Sequence, residues 1–316
     1  MISIEGCPTD FGTAFFNFRY TNLAILRLNR RKEVKEEIMK QRTAIVTGSS
    51  SGFGMLTVIE LAVKGFTVIA TMRDINKSEP LLTLAKENNV EDFIHIQPLD
   101  VTSSDSIQHF LDILREYPAV DVLVNNAGFA LGGFSEELSI EKYRNQFETN
   151  LFGVIAVTQA VLPWMRARKQ GRIINISSIS GRLGFPGLSA YVASKHALEG
   201  YSESLRLELK PFGIDVSLIE PGSYQTNIWA SVDGMEVNPE SPYLSYMESL
   251  LHEIEGGKAK HGNPIEVAKL AAKIASQPQS PDLRYPIGAG VKTMLRLKNL
   301  LPWKLLEAII LKRLKP

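Results

Sequence analysis

Short β-prone runs alternate with longer helical ones from residue 43 to about residue 219, and this alternation constrains the fold more than any other feature. The runs at 43–47, 66–72, 93–97, 120–124, 172–176 and 214–219 read as strands. Residues 55–64, 103–116, 140–168 and 190–210 read as helices between them. Strands alternating with helices build a parallel sheet covered on both faces. Right-handed crossovers then make that sheet doubly wound, a Rossmann-type α/β architecture. A further helix opens at Asn263-Pro264-Ile265-Glu266, with an Asn cap, a Pro in the first turn and a Glu following. There is no internal repeat, and 316 residues supply enough chain for one large core.

Charge and cysteine content narrow the classes. The net charge is +1, so no global basic excess points to nucleic acid. Cys7 is the only cysteine, which excludes an intrachain disulfide and a thiolate metal cluster and suits a cytoplasmic setting. The five histidines share no ligand spacing, and no metal is expected. The two ends differ from the middle. Residues 1–38 carry Phe11, Phe15, Phe16 and Phe18, then a mixed-charge run; of a membrane-contacting or targeting segment and an N-terminal extension upstream of a start at Met39, the second reading is favoured. Residues 292–316 carry seven basic residues and one acidic one, a net of +6, which leaves −5 for everything before them. Within this tail, Leu305, Leu306, Ile309 and Ile310 fall on one face of a helix opened by Pro302. Two readings stay open: a helix lying in an anionic membrane interface, or a stripe docked on the body or on a second subunit.

The segment Thr47-Gly48-Ser49-Ser50-Ser51-Gly52-Phe53-Gly54 follows a strand and opens a helix. Glycines let the backbone turn tightly and approach a pyrophosphate, and the helix start offers free N–H groups and a positive dipole end. The pattern T-G-x-x-x-G-x-G resembles that of the short-chain dehydrogenase/reductase family, and that family's other motifs follow in order. They are Asp100-Val101, Asn125-Asn126-Ala127-Gly128, Asn150, Ser177-Ser178, Tyr191-Val192-Ala193-Ser194-Lys195 and Pro221-Gly222-Ser223-Tyr224-Gln225-Thr226. The likeness covers about residues 43–290 and, in Ala70-Thr71-Met72-Arg73-Asp74 and Arg284-Tyr285-Pro286-Ile287-Gly288, leans toward the 17-beta-hydroxysteroid and retinol dehydrogenase branch. It implies one domain over residues 39–291, with seven strands in the order 3-2-1-4-5-6-7. It also implies a nicotinamide cofactor against Gly48, Ser50, Ser51, Gly52, Phe53, Gly54, Asp100, Val101, Asn126, Ala127, Gly128, Pro221, Gly222 and Thr226. By the same resemblance the long helices pair across a homodimer or homotetramer.

Tyr191 and Lys195 stand at i and i+4, so they share a helix face. A neighbouring ammonium favours the phenolate and lowers a tyrosine pKa, which equips Tyr191 to give or take a proton at an alcohol or carbonyl. Ser178, thirteen positions before Tyr191 as the family places it, would hold the substrate oxygen. The resemblance gives Asn150 a water that links Lys195 to solvent, and gives Lys195 the nicotinamide ribose as well. Taken singly, a Tyr–Lys pair on a helix is a pair of surface neighbours and a Ser-rich strand end is a turn. The ordered set is what makes them a catalytic constellation.

Two candidates compete for the cofactor's ribose. Asp74 lies twenty positions after Gly54, the distance of a ribose-binding carboxylate, while Arg73 offers a guanidinium to a 2′-phosphate. Met72 occupies the family's usual acidic position, so NADP(H) is expected over NAD(H). Residues 223–262 form a long segment carrying Ile228, Trp229, Met235, Tyr243, Tyr246, Met247, Leu250 and Leu251. It reads either as a lid over an apolar ketone, aldehyde or alcohol, or as a segment packed on the body. A non-catalytic NADP-sensing or scaffold protein on the same fold is the rival, and it would be expected to lack the Tyr or the Lys. A sugar epimerase of the extended branch would carry T-G-x-x-G-x-x-G instead.

Overall fold

The computed structural model describes residues 42–226, 228, 239–258 and 261–313. The N-terminal extension, Trp229 and Met235 lie outside these residues. Seven strands form one parallel sheet in the order β3-β2-β1-β4-β5-β6-β7. They are β1 (Thr43–Thr47), β2 (Thr67–Met72), β3 (Ile94–Pro98), β4 (Val122–Asn125), β5 (Gly171–Ile176), β6 (Ile214–Pro221) and β7 (Arg284–Ile287). The expected order is therefore the observed one.

Alternation along each strand sends side chains to two cores. Ala44, Val46, Val68 and Ala70 face one core, under α1 (Gly52–Val63), α2 (Glu79–Glu87) and the later α8 (Ile265–Ser276). Ile45, Ile69, Leu123, Ile173 and Val216 face the other, with Phe110 and Leu114 of α3 (Ser104–Leu114). Val157 and Val161 of α5 (Gly153–Arg168), and Leu205 and Leu209 of α6 (Ser189–Leu209), complete it.

The expected single helix over 140–168 is interrupted. It divides into α4 (Ile140–Phe147), a π turn (Glu148–Phe152) and α5. The turn is closed by Gly153, where a Cβ would stand 2.7 Å from the Val101 side chain, and it carries Asn150 fully into the interior. Helix α2, absent from the sequence reading, follows a short 3-10 turn capped by Asp74.

A parallel sheet brings the carboxyl ends of β1, β4, β5 and β6 to one edge, where ligands of open α/β sheets bind. Thr47 joins two of these ends. Its buried hydroxyl accepts from the backbone N–H groups of Asn126 and Ala127, each at 3.0 Å, and lies 3.5 Å from the Val124 carbonyl. Asn126 returns two side-chain bonds to the carbonyls of Thr47 and Gly48, both 2.9 Å. The Thr47→Val substitution keeps the shape and strands two half-buried donors. It is expected to cost about 2 kcal/mol or more in denaturant unfolding and to weaken dinucleotide binding. Unchanged stability would show that the clamp carries no weight.

Candidate active site

The carboxyl edge opens into a cleft of about 710 Å³, in the size range of small-molecule and cofactor sites. One end is the turn between β1 and α1. Gly48 and Gly52 have φ of +68° and +57°, the left-handed region that glycine enters without strain. A Cβ on Gly48 would stand 2.8 Å from the Ala127 Cα, and one on Gly54 would stand 2.3 Å from the Gly48 carbonyl oxygen. The turn is thus a cradle that larger residues would fill, and the start of α1 points into it. Thr226 approaches Gly52 from across the cleft.

Of the expected cofactor residues, Gly48, Ser50, Ser51, Gly52, Phe53, Arg73, Asp100, Val101, Asn126, Ala127, Gly128, Pro221, Gly222 and Thr226 line this cleft. Gly54 is not among the lining residues and packs beneath the turn. Burial works to raise the Asp100 carboxyl, but two hydrogen bonds from Thr102, at 2.9 and 2.7 Å, and the nearby Arg73 charge leave it below its ordinary value. Met72 lines the cleft yet is buried in the sheet core. Both candidates after β2, Arg73 and Asp74, line the cleft. One oxygen of Asp74 accepts from the Asn76 backbone and side chain, each at 3.0 Å, so it caps the turn. Arg73 stays exposed on the cleft, and Lys77, which the sequence reading did not weigh, joins it there at the end of that turn. Tyr224 is a second lining residue found only in the structure; it lies edge-on to Phe53 at 5.6 Å.

The other end of the cleft holds Ser178, Tyr191 and Lys195, exposed by 8%, 4% and 6%. Lys195 donates to the carbonyl of Ile176, the last residue of β5, at 2.7 Å, and its ammonium lies 5.8 Å from the Tyr191 ring centre. Ser178 follows two residues after Ile176. Its hydroxyl accepts from the Ser180 N–H at 3.1 Å, and Ser178 acts to lower the Tyr191 phenol. Ser177 points elsewhere and donates to Glu199 at 2.6 Å, which separates the two serines by geometry as the spacing did by count. Asn150 stands behind the cleft rather than on its wall. Its side chain pairs both ways with the Phe129 backbone, at 3.1 and 2.9 Å, and reaches Ser194 at 3.3 Å.

The proton affinities depart from the simple expectation. Burial pushes the Tyr191 phenol up to about 12, with the Ser178 hydrogen bond pulling the other way. The expected lowering beside an ammonium gives way to a rise because the phenol is withdrawn from water. Burial also brings the Lys195 ammonium down to about 8, opposed by the Glu199 carboxylate one turn along α6. Glu199 is itself buried and bonded to Arg284 at 2.8 Å. Arg284 also meets Glu203 and, at 3.3 Å, Glu220; Arg182 pairs with Glu220 at 3.0 Å. Burial and the Glu199 charge raise the fully buried Glu220 carboxyl, and the two arginines oppose them.

The chain matches the short chain dehydrogenase family over residues 42–236. It belongs to that family. An uncharacterized oxidoreductase of Bacillus subtilis, YusZ, is 50% identical over 87% of this chain and 99% of its own length. The 3-ketodihydrosphingosine reductase of Bacteroides thetaiotaomicron is 34% identical over 85% of this chain and 96% of its own. Retinol dehydrogenase 8 of Bos taurus is 35% identical over 83% and 86%. Like its family, the chain is an oxidoreductase built for a nicotinamide dinucleotide, and the glycine cradle fits that group.

The Glu199→Gln substitution keeps the acceptor for Ser177 and removes the anion. Lys195 then gives up its proton at lower pH, so the alkaline fall of kcat/KM in carbonyl reduction is expected to move toward neutrality. An alkaline limb that does not move would show that Glu199 leaves Lys195 untouched.

Proposed function

We propose that the protein is an NADP(H)-dependent oxidoreductase interconverting an apolar ketone or aldehyde and its alcohol, with Tyr191 as general acid and base. One observation carries the reading. A single cleft holds a buried Ser–Tyr–Lys group at one end and two exposed cations, Arg73 and Lys77, at the other. When bound, the nicotinamide supplies the hydride. Ser178 and Tyr191 hydrogen-bond the substrate oxygen. In reduction the phenol, kept protonated by burial, gives that oxygen its proton; Lys195 holds positive charge beside it. In oxidation the phenol must first lose its proton, a step that positive charge favours. Asn150, pinned by the π turn, acts as a positioning residue for a water behind Lys195.

On the cofactor side, the start of α1 faces the pyrophosphate, Asp100 and Val101 the adenine, and Thr226 the nicotinamide amide. Arg73 and Lys77 take the 2′-phosphate, while one oxygen of Asp74, which also lines the cleft, is engaged in its cap. An apolar substrate is supported by Ile228 and Phe129 on the cleft wall, and by relatives whose names specify 3-ketodihydrosphingosine and retinol. The helix α7 (Leu244–Lys258) and the residue before it pack on the body: Tyr243 and Tyr246 stack on Phe134 at 4.4 and 5.5 Å. That stacking supports the packing reading of the segment. Exposed Ile140, Phe152 and Leu207 lie on the helices that the family pairs between subunits, which supports a homo-oligomer. The scaffold rival is disfavoured because Tyr191, Lys195 and Ser178 are all present and gathered.

The test is oxidation of NADPH and of NADH against a panel of ketones and aldehydes. NADPH is expected to be preferred. Arg73→Ala and Lys77→Ala should each raise KM for NADPH about tenfold or more, the loss of a charge-assisted hydrogen bond of about 1.5 kcal/mol, and leave KM for NADH nearly unchanged. Equal wild-type efficiency with both cofactors would overturn the 2′-phosphate assignment.

A further inference from the structure

Six of the thirteen exposed large apolar side chains among the described residues fall between positions 297 and 311. They are Leu297, Leu300, Trp303, Leu305, Ile309 and Leu311, with Leu300 79% and Trp303 58% exposed. They sit on α9 (Val291–Leu300) and α10 (Trp303–Arg313), which Pro302 separates. The stripe read from the sequence divides. Leu306 and Ile310 turn inward with Leu295 onto Leu183 and Phe185, while Leu305 and Ile309 stay outside. The tail is therefore already docked on the body by one face, and its second apolar face is left to solvent.

The charge around that face selects its occupant. Lys292, Arg296, Lys304 and Lys312 are exposed, and none forms an ion pair among the described residues. The tail carries +6 against −5 for the rest of the chain. A second copy meeting this face across a two-fold axis would bring like charges together. An anionic lipid surface complements both the apolar side chains and the cations. A tryptophan at the helix start suits the headgroup level. No helix among the described residues is long and apolar enough to cross a membrane, so the contact is a surface one.

We propose that the outer face of α9 and α10 is a docking surface for an anionic phospholipid bilayer. Its inner face holds Leu183 and Phe185, which lie in the loop between Ser178 and Tyr191. Docking thus sets the substrate side of the cleft near the lipid that would dissolve an apolar carbonyl. Only that benefit rests on the proposed reaction; the docking itself does not.

The experiment is flotation of the full chain with phosphatidylcholine vesicles, with and without phosphatidylglycerol, at low and high salt. The wild type is expected to float with the phosphatidylglycerol vesicles at low salt and to lose that association at high salt. Leu305→Glu with Ile309→Glu, and separately Lys304→Glu with Lys312→Glu, should stay in the soluble fraction while keeping the wild-type melting temperature and turnover of a water-soluble carbonyl. A wild type that stays soluble at low salt overturns the proposal, and so does an apolar-face variant that still floats. A wild-type oligomer that the same variant splits on size exclusion would assign the face to a subunit contact instead. Flotation needs no cofactor, so its failure is distinct from failure of the reductase reading.

Discussion

The hydrogen bond from Lys195 to the carbonyl of Ile176 organises the catalytic end of the molecule. It fixes α6 against the end of β5, so Ser178, two residues on, and Tyr191, one turn back, meet over the same part of the cleft. Placing an ammonium there takes a charge out of water, which is costly unless it is paired. Glu199 answers it from the next turn of α6, and its own burial is answered by Ser177 and Arg284. Arg284 also reaches Glu203 and Glu220, and Arg182 completes the set. One buried cation thus entrains a network running from α6 to the start of β7 and to the loop after Ser178.

That network also touches the tail. Lys298 on α9 donates to the Arg182 carbonyl, and Val291 packs where a side chain on Gly222 would stand. The loop carrying Arg182, Leu183 and Phe185 is held from below by ion pairs and from the side by the tail. The loop after Ser178, Ser178 itself and the C-terminal helices therefore share one set of contacts.

Much of this was legible in the residues, and the reasons are physical. A parallel sheet needs alternating strands and helices, so its order and edge followed from pattern and motif. The glycines at 48, 52 and 54 and the Tyr191–Lys195 pair declare themselves because backbone space and helix periodicity are local properties. What stayed hidden depends on distance along the chain. The π turn that buries Asn150 depends on Gly153 meeting Val101, some fifty residues away. Lys77 reaches the cleft only through a 3-10 turn that its residue types do not announce. The proton affinity of Tyr191 was expected to fall beside an ammonium, and rises instead, because burial is a property of the whole fold. The tail stripe gave an apolar face but could not say that half of it would already be covered.

The claim at the centre is that the Tyr191 phenol moves the proton while other residues hold the dinucleotide. Tyr191→Phe removes the hydroxyl and keeps the ring in its buried place. The decisive measurement pairs steady-state turnover of an apolar ketone with direct titration of NADPH binding, wild type against this variant. The account predicts that turnover falls by a factor on the order of a thousand, as for loss of a general acid, with the NADPH Kd within about twofold of wild type. Near-normal turnover in Tyr191→Phe would contradict it.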